Sequence, residues 1–341
     1  MFNKVDSVIM INYHNYWKNP FVNKYLENNI SDKFEGMLIL KEKEIIWLSH
    51  PFNYQQIKKD FAKISKINGK KLTIINANSK KIIDENLIKF TGKKIGFHFR
   101  YTTVSQLKNL KKLLKGKKFI DVSIDLEKER EIKTENEIKN ISIAVKKTQK
   151  IIDEIKDKKL CEKQSEKEIE EYVKKRFNQE KMETAFCIIA LGKNTTNIHH
   201  VNCENKISSG PVLIDIGGKY KGYCSDLSES FWIGKKDEKY TAWKKRHYLI
   251  HQKIKEIETK LKNGTSVKEL WNLVKDLEMN HCVGHGIGIE EHDAPSGIGP
   301  KSDFLLKENM VLAIEIGLYK DFGIRIENDY LITKKGFKKL N

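Results

Sequence analysis

The chain has 341 residues, 39% hydrophobic and 32% charged, with a formal net charge of +18. Its longest apolar run, residues 185–191, is seven residues against the roughly 20 needed to span a bilayer, which argues against a membrane protein and leaves one large domain or two ordinary ones. The lysines run along the whole length with no arginine-rich or aromatic-interleaved block, which reads as a compositional habit rather than a face for nucleic acid. Val8–Ile11 is too short for the core of a signal peptide. Cys161, Cys187, Cys203, Cys224 and Cys282 are odd in number and lack CxxC spacing. This pattern disfavours a disulfide framework or a thiolate zinc site, and a reducing, cytoplasmic location is expected.

Along residues 1–130, short runs rich in Ile and Val read as strands at 5–12, 36–49, 71–77, 93–99 and 117–125. Residues 55–66 and 102–116 carry helical periodicity between them, so a smaller α/β domain is expected, with no catalytic cluster in it. A charged stretch, Glu127–Glu131, leads to a helix start with Thr134 as cap and Glu137 three residues on. Positions 138, 141, 144, 145, 148 and 152 then follow a 3.6-residue period. The same box recurs at Ser165/Glu168, ahead of Ile169, Val173 and Phe177, and at Ser266/Glu269, ahead of Leu270, Leu273 and Val274. A boundary is placed near residue 130, with residues 131–341 forming a second domain of helices and antiparallel hairpins.

Pro211–Ile233 reads PVLIDIGGKYKGYCSDLSESFWI and sets Asp215 inside an apolar run. Strands at 212–217 and 223–233, joined by a turn at 219–222, would put Asp215 opposite Asp226 with Cβ atoms about 5 Å apart. Two facing carboxylates are destabilising unless something positive lies between them. A second pair of apolar strands carries Glu315 and Glu327, and GHGIGIEEHDAP (284–295) supplies His285, flanked by glycines, and His292.

Four carboxylates and one neutral imidazole buried together would cost many kcal/mol or titrate to neutral. Two divalent cations would balance them. Oxygen-rich ligation with one imidazole suits Mn2+, Co2+, Fe2+ or Zn2+, and a metal pair about 3.5 Å apart implies hydrolysis by a bridging water.

DIGG…GYCSD, GHGIGIEEH and RIEND, in the order Asp, Asp, His, Glu, Glu, resemble the motifs of the pita-bread metallopeptidases (family M24), which include methionine aminopeptidases, Xaa-Pro aminopeptidases and prolidases. REIKTENEIKNISIA (130–144) is similar to the helix that opens the catalytic domain of prolidase-like members, and the residues before it resemble a creatinase/prolidase-type N-terminal domain. The resemblance implies an α+β pita-bread catalytic domain at 131–341 behind an α/β N-terminal domain at 1–130. It implies Asp215, Asp226, His285, Glu315 and Glu327 as metal ligands, with Asp226 and Glu327 as bridges and Glu315 also as proton acceptor. His199, placed ahead of His200 by its spacing to Ile207, and His292 would hydrogen-bond the scissile carbonyl. Arg325 would either pair with a substrate carboxylate or hold a metal-ligating one.

The implied cofactor is a pair of divalent ions, Mn2+ first, with Co2+, Zn2+ or Fe2+ as alternatives. The implied activity is hydrolysis of the bond between an N-terminal residue and proline, in a dipeptide or a longer peptide, by a homodimer. The alternative is a non-catalytic pita-bread homologue that binds protein or nucleic acid. A creatinase-like hydrolase, which would need no metals, fits less well with five retained ligands. Glu229, Ile316, Ser296 and Ile198 depart from the family pattern, as does a short segment between Gly234 and Gly284, and these bear on substrate choice.

Overall fold

The computed structural model describes residues 1–12, 19–26, 34–277 and 279–341. The chain divides into two compact units, Met1–Glu129 and Arg130–Asn341.

The first unit contains, in chain order, β1 (Ser7–Asn12), α1 (Pro20–Tyr25), β2 (Gly36–Leu40), β3 (Glu44–Ser49), α2 (Pro51–Asp60), β4 (Lys66–Ile67), β5 (Lys70–Asn76), α3 (Lys80–Phe90), β6 (Lys94–Phe97), α4 (Val104–Leu113) and β7 (Lys118–Asp121); α5 (Ser123–Glu131) follows. Among the described residues the sheet order is β4-β5-β3-β2-β1-β6-β7. The expected single run at 36–49 is a hairpin, β2 against β3, because the Lys41–Lys43 segment turns and Lys41 N donates to Glu44 O at 2.8 Å. The run at 117–125 stops after Asp121, whose carboxylate accepts from Ser123 N at 2.9 Å and starts α5, so the charged stretch is itself helical. Helix α3 escaped the sequence reading because it buries a single residue, Leu87, and so lacks a broad apolar stripe.

The second unit contains α6 (Glu135–Asp157), α7 (Glu166–Gln179), β8 (Glu183–Leu191), β9 (Gly210–Tyr220), β10 (Tyr223–Cys224), β11 (Leu227–Ile233), α8 (Glu238–Glu258), α9 (Val267–Val274), β12 (Gly284–Gly286), β13 (Val311–Leu318), β14 (Ile324–Ile332) and β15 (Phe337–Lys339). The sheet runs β10-β9-β11-β14-β13-β12, with β8 beside β9 and β15 beside β14, and its pairs are antiparallel.

Alternation along the strands divides the sheet into two faces. Val212, Ile214 and Ile216 of β9 join the core beneath α6 and α7, while Leu312, Ile314 and Ile316 of β13 join the core beneath α8 and α9. The intervening residues of the same strands therefore point to the other face, where the carboxylates lie. Capping boxes at Thr134/Glu137 and Ser165/Glu168 start α6 and α7. At α9, Ser266 is the cap but accepts from Lys268 N, and Glu269 lies 3.8 Å from Lys260 instead of reaching back, so the cap is present and the box expected there is not formed.

Candidate metal centre

Lys221 and Gly222, with φ of 47° and 79°, make a two-residue turn between β9 and β10. Positive φ at both central residues matches the right-handed twist of the flanking strands. The turn is centred one residue later than expected. Pairing follows Tyr220↔Tyr223, and Asp215 faces Ser228 rather than Asp226. The slip of two residues keeps the face. Asp226 therefore still projects on the side of Asp215, diagonal to it.

From there a row crosses four strands in register. Asp215 of β9 faces Ser228 of β11, Ser228 faces Glu327 of β14, and Glu327 faces Glu315 of β13. His285 of β12 pairs with Ala313, two residues before Glu315 and so on the same face. His285 Nε2 lies 3.7 Å from Asp226 Oδ2 and 3.6 Å from Glu327 Oε1. Three overlapping groups each gather ligand atoms within 4.8 Å: Asp215, Asp226 and Glu327; His285, Glu315 and Glu327; Asp226, His285 and His292. Glu327 sits at the middle, with Ser228 Oγ donating to its Oε2 at 2.8 Å.

The crowding shows in the acidities. Burial, then Glu327, Asp215 and other carboxylates, holds Asp226 well above the usual carboxylate range. Burial and then Glu327 push Glu315 up to about 8. Burial raises Asp215 too, against the pull of Arg325. Burial works against Glu327 as well, yet the His285 hydrogen bond brings it below its ordinary value. His285 rises to about 9, its burial outweighed by Glu327 and Glu315. Left to itself, the cluster satisfies its negative charge with protons.

Asp215 Oδ1 is buried without a hydrogen-bond partner. His285 Nδ1 lies 3.1 Å from Gly286 O, so donating there turns Nε2 toward the carboxylates. An orphaned carboxylate oxygen, three further carboxylates and an oriented imidazole fit divalent cations.

Around the row stand Arg325, which the sequence pointed to, and His281, Tyr319 and Asp329, which it did not. Arg325 NH2 donates to Asp215 Oδ2, Nε to Ser228 Oγ at 3.1 Å, and NH1 to Ile198 O at 3.2 Å and Tyr319 Oη at 3.1 Å. Tyr319 Oη meets His281 Nε2 at 3.2 Å, and His281 Nδ1 lies 3.4 Å from Glu315 Oε2. Asp329, buried, accepts from Asp226 N at 3.0 Å. Their spacings held the signal: His281 is four residues before His285, Tyr319 four after Glu315, and Asp329 two after Glu327 on the same face.

His292 stacks on His285 with ring centroids 4.1 Å apart. Burial lowers the pKa of both His281 and His292, and the neighbouring His199, itself exposed, lowers each further. His200 turns to Glu166 at 2.6 Å. The family departures lie off the row. Glu229 and Ile316 are on the opposite face, Glu229 paired with Lys156 and Ile316 in the core, and Ser296 is exposed. Ile198 contributes its carbonyl to Arg325.

Residues 139–334, more than half of the chain, match the model of metallopeptidase family M24. The chain belongs to metallopeptidase family M24. As an M24 member it is a peptide-bond hydrolase with the expected α+β architecture, and residues 27–132 match the creatinase/prolidase N-terminal domain. It is 35% identical over 275 residues to an uncharacterized peptidase of Methanocaldococcus jannaschii, covering 72% of this chain and 78% of that one. It is 30% identical over 252 residues to a Xaa-Pro dipeptidase of Pyrococcus horikoshii, covering 70% of each. Among solved structures, the Pyrococcus furiosus prolidase superposes with a TM-score of 0.80 at 26% identity, over 99% of this chain and 96% of that one. The X-Pro aminopeptidase of Thermotoga maritima, at 21% identity, shares the fold with a TM-score of 0.85 over 98% and 95%. Among the described residues no helix is long and apolar enough to cross a membrane.

Proposed function

We propose that this M24 member is an exopeptidase that uses two divalent cations to hydrolyse the bond between an N-terminal residue and proline. The observation carrying the reading is the row Asp215, Ser228, Glu327, Glu315, with Asp226 and His285 converging on it. Counting Asp329 with Asp215, Asp226, Glu315 and Glu327, five buried or partly buried carboxylates against the Arg325 guanidinium and one neutral imidazole leave about four negative charges, which about two M2+ ions would balance. The proline preference is drawn from relatives called Xaa-Pro dipeptidase and prolidase.

Asp215, Asp226, His285, Glu315 and Glu327 would hold the cations, Asp226 and Glu327 between them. Mn2+ is the first choice. The bound cations would supply Lewis acidity toward the scissile carbonyl and a water made nucleophilic at neutral pH. The remaining work falls to side chains. Glu315, whose burial raises its affinity for a proton, would as a carboxylate take the proton of the attacking water and pass it to the leaving nitrogen. His199 and His292, both exposed, would donate to the carbonyl oxygen as it gains charge. All the Arg325 nitrogens have protein partners, which supports its holding Asp215 rather than a substrate carboxylate.

Elemental analysis of protein loaded with Mn2+ tests the cation count, with about two per chain expected. Comparing a Xaa-Pro dipeptide with a Xaa-Pro-Xaa tripeptide separates dipeptidase from aminopeptidase. Protein that binds no metal and cleaves neither peptide would leave the non-catalytic alternative. A homodimer belongs to the same proposal and is read by sedimentation.

A further inference from the structure

Apart from the acidic row, one other group of His, Cys and carboxylate side chains gathers among the described residues: Glu166, His200 and Cys203. Glu166 is the first residue of α7, just after the Ser165 cap, and is fully buried. Its Oε2 accepts from His200 Nε2 at 2.6 Å, Cys203 N at 3.1 Å and Cys203 Sγ at 3.0 Å. Its Oε1 accepts from Leu191 N and Asn194 Nδ2, both at 2.9 Å, and Asn205 Nδ2 at 3.5 Å. Ligands of one tetrahedral zinc would stand roughly 3.3 Å or more apart. The short His200 contact is therefore a charge-assisted hydrogen bond, and the group is an anchor rather than a cation site.

Every one of those donors comes from residues 191–205, the segment that carries His199. The first turn of α7 grips the same segment through its main chain, with Glu166 N donating to Asn205 O and Lys167 N to Cys203 O, each at 3.2 Å. On the other side of His199, Ile198 O accepts from Arg325, whose guanidinium binds Asp215. His199 thus sits between one residue tied to the acidic row and one tied to Glu166.

We propose that Glu166 is a positioning residue for hydrolysis, its buried carboxylate fixing the 191–205 segment so that His199 faces the acidic row. This rests on the reading of His199 as a donor to the scissile carbonyl. Glu166→Gln keeps the size but sets an amide NH2 among six donors, so some of them lose their acceptor.

The test is a double-mutant cycle on a Xaa-Pro dipeptide. Glu166→Gln is expected to lower kcat about 10- to 100-fold, with KM and metal content little changed. In a His199→Ala background the same substitution should cause no further loss, because the group it positions is gone. Losses that multiply, or a Glu166→Gln enzyme with unchanged kcat, would overturn the proposal. If Glu166→Gln does not fold, His200→Ala removes a single donor. It should lower kcat less and be absorbed likewise in the His199→Ala background, and an independent loss counts against the idea. If the unmodified protein cleaves no Xaa-Pro peptide, the functional reading fails on its own account. Amide exchange at Leu191 and Cys203 then decides: faster exchange in Glu166→Gln supports the anchor, and unchanged exchange refutes it.

Discussion

Glu327 touches more of the acidic cluster than any single neighbour in the row, which makes it the residue whose loss is most informative. It stands between Ser228 and Glu315 in register and 3.6 Å from His285. Glu327→Ala should lower kcat/KM by about 10³-fold or more, since the several kcal/mol that metal chemistry supplies correspond to that factor. Far-ultraviolet circular dichroism should be unchanged; normal turnover by the variant would refute the bridging role. Arg325 offers a sharper choice. If it holds Asp215, Arg325→Ala lowers kcat and metal content and destabilises by about 3–5 kcal/mol, because a buried carboxylate loses its partner. KM for a dipeptide and a tripeptide should then change alike. A rise in KM confined to the dipeptide would instead make Arg325 the reader of the substrate carboxylate.

Elements were legible in the sequence to different degrees, for physical reasons. Helices α6 and α7 announced themselves through capping boxes and a wide apolar stripe, and both boxes are formed. Helix α3, which buries Leu87 fully and Ile83 and Phe90 only in part, gave a narrower one. The hairpin carrying Asp215 and Asp226 was visible as a pattern, but its pairing depends on which residues adopt positive φ, and Lys221 does so without being glycine. The face survived because the displacement was even. His281, Tyr319 and Asp329 lie within four residues of a ligand and were legible only by that spacing, whereas Ser228 is set beside Glu327 by pairing across strands. The loop after β12 follows the same logic. Asp293 lies 2.6 Å from Arg130 Nε, and both are buried. Its other oxygen accepts from Ile289 N at 3.0 Å, which shapes the turn that brings His292 onto His285. Asp293→Ala should cost about 3 kcal/mol or more by leaving Arg130 buried beside a lost partner. Calorimetry reads the loss, and a melting temperature equal to that of the unmodified protein would contradict it.

For the whole molecule, cations and protons compete for one cluster, so its stability should depend on both together. Without metal, the folded chain keeps a proton on Glu315 up to about pH 8, whereas the unfolded chain releases it near 4.5. The folded state then binds more protons across that interval, and raising the pH removes stability. His285 acts in the same direction: its contribution is complete below 6.5 and is lost as pH rises through about 9. Asp226, raised well above its usual range, adds to the decline. Glu327 runs the other way, but its contribution is lost only as pH falls through a value below 4.5, and His281 and His292, which burial lowers, oppose the decline only up to 6.5. Metal-free protein should therefore melt about 5 °C or more lower at pH 8.5 than at pH 5.5. Added Mn2+, which takes the place of the protons, should raise the melting temperature most at the alkaline end. Glu315→Gln removes one of the titrating groups and should flatten the metal-free profile. A metal-free melting temperature that climbs between pH 5.5 and 8.5, or a Mn2+ effect largest in acid, would mean that the carboxylates are not confined together as the row requires.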